Sequence, residues 1–202
     1  MALELLEPGH LYHIYNHALG KENLFLSDDN YQYFLRRYQH FIDPVSHTYA
    51  YCLMPNHIHF FIEVKQKIEL PPECKYSVEQ FISKQFSNLF SSYTQVFNKQ
   101  QNRIGTLFIS GFRREKVDSD EYLTRIIRYI HMNPVHHGFV KDLIKWRYSS
   151  YNTICATHET FLAKEKVISW FGNLDELKNA DRIFDMPTLP KSFESESKGP
   201  IY

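Results

Sequence analysis

Two histidines separated by a single residue, His57 and His59, are the first feature of the chain that suggests chemistry. They lie in segment 57–64, which is rich in β-branched and aromatic residues and is therefore predicted to be a strand. Strand side chains alternate between two faces, so both imidazoles project from one face, with about 6.6 Å between their backbone positions. Two such imidazoles can bind one divalent metal ion, although this spacing also occurs where histidines only stabilise a fold.

A third ligand must come from elsewhere in the chain. Glu63 shares the face of His59, but four residues of extended strand place it about 13 Å away. Five polar residues are candidates for the third position: Asn16, His131, Asn133, His136 and His137. Neutral imidazoles without a nearby thiolate favour Mg²⁺ or Mn²⁺ with positions left open for phosphate oxygens, and Zn²⁺ is an alternative.

A tyrosine and an asparagine form the second candidate pair. Tyr129 and Asn133 are four residues apart in a segment with helical periodicity, so they lie on one helix face, one turn apart. Tyr122 lies two turns earlier on a similar face and is a rival for any role that needs a hydroxyl group. The chain has 14 tyrosines, and a tyrosine in a helix most often serves packing, so the spacing alone assigns no role.

The strands and helices that must position these residues follow from hydrophobic periodicity. Segments 9–16, 47–54 and 57–64 are predicted strands, and segment 106–117 is predicted to be part strand and part loop. Three amphipathic helices have limits set by caps and prolines: Ser27 or Asp28 to Asp43–Pro44, the Ser77 and Gln80 capping box to about residue 99, and Asp118 or Ser119 to Asn133–Pro134.

The order of these elements, βαββαβ and then a helix, predicts an α+β fold of the ferredoxin-like type. In such a fold an antiparallel sheet has helices packed on one face. The third helix, which carries Tyr129, follows the sheet, and short helices are predicted at 163–171 and 173–184. The tail 186–202 is rich in polar residues and proline and is predicted to be flexible.

The formal net charge of +0 excludes a uniformly basic coat for nucleic acid and a uniformly acidic disordered chain. The charges are unevenly distributed, since residues 75–150 hold 12 Lys or Arg against 6 Asp or Glu, whereas residues 1–74 hold 5 against 9. A basic segment interleaved with aromatic and amide side chains suits single-stranded nucleic acid, and a solvated helix face is the alternative. Six residues are candidates for DNA contacts: Asn16, Arg113, Arg114, Lys116, Arg125 and Arg128.

The three cysteines, Cys52, Cys74 and Cys155, have no C-x-x-C spacing, so neither a disulfide framework nor a cysteine zinc site is expected. The first residues lack the basic start and the long apolar run of a signal peptide, and no apolar stretch approaches about 18 residues. These features predict a cytoplasmic protein that neither spans a membrane nor is secreted.

Two motifs resemble those of a known family. Residues 51–59, Tyr-Cys-Leu-Met-Pro-Asn-His-Ile-His, resemble the HUH (His, hydrophobic, His) box of single-tyrosine transposases, and residues 128–135 resemble their nucleophile helix. Segments 12–17, 111–114 and 146–151 are similar to further landmarks of the REP-associated tyrosine transposases, the group linked to repeated extragenic palindromes. The resemblance covers residues 9–152.

This resemblance implies an enzyme that nicks and rejoins single-stranded or hairpin DNA through a 5′-phosphotyrosine intermediate. By position, His57 and His59 correspond to the metal ligands, Tyr129 to the nucleophile, and Asn133 to the residue that completes the site. The implied cofactor is Mg²⁺ or Mn²⁺, and the implied substrate is a palindromic repeat. Many relatives have Arg where His17 stands in this chain.

The resemblance also divides the chain into a catalytic domain at 1–152, a helical extension at 153–185 and the tail at 186–202. It leaves the choice between monomer and homodimer open. Two other functions are compatible with the sequence. One is a domesticated hairpin-binding protein with little or no catalysis, and the other is an unrelated metal hydrolase that uses His57, His59 and a later histidine.

Overall fold

A four-stranded antiparallel sheet forms the centre of the computed structural model, which describes residues 4–182. Its strands are β1 (Leu11–His17), β2 (Ser46–Leu53), β3 (His57–Val64) and β4 (Arg113–Lys116), in the spatial order β2-β3-β1-β4. The tight turn between β2 and β3 is closed by the N–H of Met54, which donates to the carbonyl of His57 at 2.8 Å. The histidine strand β3 therefore lies between β2 and β1, away from both edges of the sheet.

Six α-helices complete the described part of the chain. They are α1 (Asp28–Ile42), α2 (Val78–Gln101), α3 (Asp120–His136), α4 (Tyr151–Cys155), α5 (Lys164–Trp170) and α6 (Leu174–Arg182), with a 3-10 turn at Leu143–Lys145. The sequential order of strands and helices through β4, together with the sheet order, confirms the predicted ferredoxin-like α+β fold. The predicted segment 106–117 forms a loop that ends in the short strand β4, as expected.

The apolar face of β3 packs against α1 and α2. Ile58 and Ile62 are fully buried there, and the ring of Phe60 stacks on Tyr38 of α1 with 4.1 Å between ring centroids. Tyr93 of α2 also reaches this layer and meets a ring of α1 edge-on. Burial of each such side chain contributes about 2 to 3 kcal/mol. The opposite face of β3 carries His57, His59 and Glu63, together with the fully buried Phe61.

Helix α3 extends to His136, beyond the end near Asn133–Pro134 that the proline predicts. Proline removes only its own backbone donor from a helix, and the residues that follow it keep theirs. The N–H of His137 donates to the carbonyl of Asn133 at 2.9 Å, and Gly138 then adopts a positive φ of 73°. The helix therefore ends at His136, two to three residues later than predicted, and the glycine in the left-handed conformation follows it.

The short helices predicted at 163–171 and 173–184 are confirmed as α5 and α6. Leu162, Val167 and Leu177 belong to the same buried hydrophobic cluster as the sheet residues, and Trp170 packs edge-on against Tyr49 of β2. The proposed division of the chain near residue 152 stays a prediction, and the tail 186–202 lies outside the described residues. No helix among residues 4–182 combines the length and apolar character needed to cross a bilayer.

The start of α2 allows a test of the predicted capping box. The hydroxyl of Ser77 accepts from the N–H of Gln80 at 3.3 Å, and the Gln80 amide oxygen accepts from the N–H of Ser77 at 3.0 Å. We expect Ser77→Ala to lower the free energy of unfolding by about 1 kcal/mol in urea denaturation, because it leaves a helix donor unpaired. Ser27 is the matched control, since it precedes α1 without a side-chain cap hydrogen bond. An equal loss in Ser27→Ala would contradict this account.

Candidate active site

The two histidines of the H-x-H pair lie buried on the face of β3 opposite the aromatic layer. The ring centroids of His57 and His59 are 5.1 Å apart and the rings are nearly perpendicular. The pairing of β1 with β3 sets Tyr15 across from His59 and His17 across from His57. Helix α3 covers this face. Strand alternation alone predicts the shared face, and pairing with β1 adds two further aromatic rings to it.

Both ring nitrogens of His57 face the amide oxygen of an asparagine. Its Nδ1 lies 2.8 Å from Oδ1 of Asn56, which is the shorter of the two contacts, so we assign the single proton of the neutral ring to Nδ1 and the lone pair to Nε2. That Nε2 lies 3.3 Å from Oδ1 of Asn133. The Asn133 amide is oriented by its Nδ2, which donates to the carbonyl of Tyr129 at 3.1 Å. Two acceptors therefore face each other in a buried site.

This arrangement fits a cation held between the two atoms. Nitrogen and oxygen ligands at about 2.1 Å from one ion, at an angle of about 100°, are about 3.2 Å apart. The separation of His57 Nε2 and Asn133 Oδ1 agrees with that value. Among residues 4–182, no group of three His, Cys, Asp or Glu side chains is arranged to hold a metal ion, so a site here needs the Asn133 amide as a ligand.

His13 also belongs to this cluster, although it lies outside the H-x-H pair and the candidate ligands named from the sequence. It is fully buried in β1, and its Nε2 lies 3.0 Å from Nδ1 of His59. The two rings are stacked with 5.2 Å between centroids and 10° between planes. The sequence contains a signal for this placement, because His13 and Tyr15 alternate along the predicted strand 9–16 and His17 follows directly after it. Its meaning depends on which strand β1 pairs with.

Tyr129 lies beside the histidines of its own chain. Its ring contacts His59 edge-on at 5.7 Å and His13 at 6.1 Å between centroids. The rival Tyr122 lies under the guanidinium of Arg125, which is 5.6 Å from its ring centroid. The structure therefore brings Tyr129 and Asn133, the pair predicted from helical spacing, to the same place as the H-x-H pair.

The other candidate ligands are distributed differently. His137 contacts His57, with 4.9 Å between ring centroids, whereas His136 is exposed. His131 is buried on another side of α3, where its Nε2 lies 2.9 Å from Oγ of Ser150. The prediction that Asn16 is a possible ligand is wrong, because strand alternation places its side chain on the opposite face of the sheet, in a groove that α2 also lines.

Burial controls the charge of the cluster. Desolvation lowers the pKa of His13 and of His57 to about 3, and it lowers the pKa of His59 well below its ordinary value. The pKa values of His17 and His137 are also lowered by burial. All five imidazoles are therefore neutral at pH 7, which is the state in which an imidazole binds a metal ion.

The predicted DNA-contact residues occupy several environments. Arg113 is exposed, whereas Lys116 pairs with Glu7 at 2.9 Å. Arg114 lines the same groove of about 600 Å³ as Asn16; its Nη1 donates to Oγ of Ser83 at 2.7 Å, and burial lowers its pKa to about 10. Arg125 and Arg128 are half-buried on α3. Contacts of these residues with DNA stay predictions.

Comparisons with known proteins agree with the motifs. No protein-family model matches the chain. Over 131 residues the chain is 28% identical to a Haemophilus influenzae protein named "Putative REP-associated tyrosine transposase", covering 63% of this chain and 68% of the relative. A solved structure of a REP-associated tyrosine transposase bound to a REP hairpin shares the fold, with a TM-score of 0.55 over 78% of this chain and 86% of that chain, at 16% identity. The resemblance is thus confirmed.

The neutral histidine cluster predicts an acid-sensitive fold. In the unfolded chain, histidines take up protons as the pH falls below about 6.5. The folded site does not, since the pKa values of His13 and His57 are about 3. The unfolded state then binds more protons than the folded state, so the free energy of unfolding falls between pH 6.5 and pH 5. The loss is about 1.4 kcal/mol per pH unit for each histidine that is protonated in the unfolded chain and neutral in the folded site. Urea denaturation with a chelator, at pH 7.5, 6.5 and 5.5, measures this loss, and a constant free energy of unfolding would contradict it.

Proposed function

We propose that this chain, which is similar in sequence and fold to REP-associated tyrosine transposases, is a metal-dependent enzyme that nicks and rejoins hairpin or single-stranded DNA. The observation that carries the proposal is the joint placement of Tyr129 and Asn133 against His57 and His59 within one chain. A hydroxyl nucleophile and a set of neutral metal donors are the two groups that phosphoryl transfer by a tyrosine requires. The site therefore needs no residue from a second copy of the chain.

The donor set for the metal ion is Nε2 of His57, the imidazole of His59 and Oδ1 of Asn133. When bound, Mg²⁺ or Mn²⁺ would supply Lewis-acid stabilisation of the charge that develops on the phosphate oxygens. The protein contributes neutral imidazoles, which do not repel a cation, and an amide whose orientation is set by its bond to the Tyr129 carbonyl. That bond also ties the donor set to the helix of the nucleophile.

In the proposed reaction, the Tyr129 hydroxyl oxygen attacks the phosphorus of a phosphodiester. The bond from phosphorus to the 3′ oxygen breaks, and the proton lost by the tyrosine is balanced by the proton gained by the 3′ leaving group. The products are a 5′-phosphotyrosyl strand and a free 3′-hydroxyl end. Another 3′-hydroxyl can attack the same phosphorus and release Tyr129, so strands are joined without a nucleotide cofactor.

Hairpin or single-stranded DNA is the substrate class that fits this site. The solved relative is described as bound to a REP hairpin, and we extend that class of ligand to this chain. Tyr129 is partly exposed at the end of the histidine cluster, where an accessible backbone can reach it more readily than a stacked duplex.

A covalent-adduct assay tests the nucleophile. We expect a labelled hairpin with a 5′ extension to form a denaturation-resistant protein–DNA adduct in Mg²⁺ or Mn²⁺, and Tyr129→Phe to form none because it lacks the attacking oxygen. Tyr122→Phe is the matched control on the same helix and should form the adduct. Loss of the adduct in Tyr122→Phe instead would reassign the nucleophile.

The same assay separates the alternatives. Hairpin binding by the wild type without any metal-dependent adduct would favour a binding protein in which catalysis is absent. Release of cleaved DNA with no covalent intermediate would favour a metal hydrolase. Either result would overturn the proposed phosphotyrosine chemistry.

A charge variant tests the DNA contact on β4. Arg113 is exposed, so we expect Arg113→Gln to weaken hairpin binding for all sequences and to reduce the salt dependence of log K by about one unit. Arg147→Gln is the control, because Arg147 is also exposed but already donates to Asp28 at 2.6 Å. Fluorescence anisotropy at several salt concentrations measures both effects. Equal salt slopes for the wild type and Arg113→Gln would rule out this contact.

A further inference from the structure

We propose that the groove between α2 and segment 105–112 binds the phosphate of a nucleotide, with the guanidinium of Arg114 as its cation and the amide of Asn16 as a second donor. The groove has a volume of about 600 Å³, which lies within the range of about 300 to 1,000 Å³ that is typical of ligand sites. It lies on the face of the sheet opposite the histidine cluster, so the chemistry proposed for Tyr129 does not use it.

Arg114 brings into the groove a positive charge that no ion pair among residues 4–182 neutralises. Its Nη1 donates to the neutral hydroxyl of Ser83 at 2.7 Å, and its Nε is buried without a hydrogen-bond partner. Desolvation lowers its pKa to about 10 although Glu4 raises it through space, so the guanidinium stays charged at pH 7. The residues that line the groove include no Asp or Glu. The groove therefore favours an anion.

Asn16 supplies a second donor in the same groove. The residue is only 4% exposed, and its Oδ1 accepts from the N–H of His17 at 2.9 Å, whereas its Nδ2 makes no hydrogen bond within the described part of the chain. Arg114 pairs across from Ile14, so Asn16 is its diagonal neighbour on the same face of the sheet, with about 7 to 8 Å between their backbone positions. A phosphate between the two side chains can accept hydrogen bonds from both.

The rest of the lining suits a nucleotide better than a bare anion. The guanidinium carbon of Arg114 lies 3.9 Å from the ring centroid of Phe112, which also lines the groove. Arginine binds phosphate through parallel N–H bonds from the edge of its planar group. Hydroxyl and amide side chains, which can bond to a sugar or to the edge of a base, line the α2 side of the groove: Ser87, Ser91, Thr94, Gln95 and Asn98.

Two sources can supply this phosphate. One is the single-stranded part of a DNA substrate, and this source rests on the proposed function. Strand β4 is at the edge of the sheet, and alternation places Arg113 on the histidine face and Arg114 on the groove face, so a DNA strand that crosses this edge meets both residues. The other source is a free nucleotide, whose site would be separate from catalysis.

Three variants that change the net charge equally test the site. Arg114→Gln removes the cation, Ser91→Glu adds a carboxylate at an exposed position of the groove, and Lys84→Gln removes an exposed cation of α2 that does not line the groove. Each substitution lowers the net charge by one, so bulk attraction changes equally and only the location differs. If urea denaturation shows that Arg114→Gln does not fold, Ser91→Glu still decides the matter.

Fluorescence anisotropy in EDTA tests the DNA source. A labelled hairpin with a single-stranded 5′ extension is compared with the same hairpin without the extension. If DNA supplies the phosphate, Arg114→Gln and Ser91→Glu bind the extended hairpin about tenfold more weakly than the wild type, whereas Lys84→Gln binds within about threefold. The hairpin without the extension shows no such difference. The salt dependence of log K for the extended hairpin falls by about 0.7 in Arg114→Gln.

Isothermal titration with thymidine 5′-monophosphate, also in EDTA, tests the free nucleotide. The same pattern among the variants with this probe would assign the groove to a free nucleotide. Equal affinities of all four proteins for both probes, an equal loss in all three variants, or a wild type that binds neither probe would overturn the groove site. A wild type that shows the expected differences but forms no covalent adduct in Mg²⁺ or Mn²⁺ would overturn the proposed function and leave the groove site standing.

Discussion

The alternation of β3 between hydrocarbon and imidazole is the constraint on which the rest of the molecule depends. One face of the strand packs Ile58, Phe60 and Ile62 against α1 and α2, and the other face presents His57 and His59. Burying an imidazole costs free energy unless its ring nitrogens find partners. The partners come from β1 (His13), from the β2–β3 turn (Asn56) and from α3 (Asn133). The cluster therefore holds β1, the β2–β3 turn and α3 in their positions around β3.

The position of α3 depends on a second set of bonds on its other side. The ring of His131 lies 2.9 Å from the hydroxyl of Ser150. The N–H of Ser150 donates to the carbonyl of Tyr51 in β2, and the hydroxyl of Ser150 accepts from the N–H of Tyr51. Trp146 adds a bond from its indole N–H to the carbonyl of Leu53. Segment 146–151, a landmark of the resemblance without chemistry of its own, thus anchors α3 to β2. This anchoring places Tyr129 over His59.

Local patterns predict much of this structure. The 2-residue period of β3, the capping box of α2 and the helical spacing of Tyr129 and Asn133 each depend on neighbours in sequence, and each holds in the fold. The positions of His13 and Asn16 relative to the histidine pair do not follow in this way. Both lie on β1, on opposite faces, and only the antiparallel register with β3 determines which face meets the histidines. That register is set by long-range packing.

The fold pairs part of the basic middle segment with the acidic first segment of the chain. Three basic residues of the middle segment, Arg103, Lys116 and Arg147, pair with Glu22, Glu7 and Asp28 of the acidic first segment. Part of the basic excess therefore serves contacts within the protein and gives no general attraction to DNA. Such exposed pairs contribute little to stability, about 0 to 1 kcal/mol each. The positive charge that stays available is then local, at residues such as Arg113. Under the proposed function, a DNA strand would be selected by its fit to the tyrosine and histidine site more than by bulk electrostatic attraction.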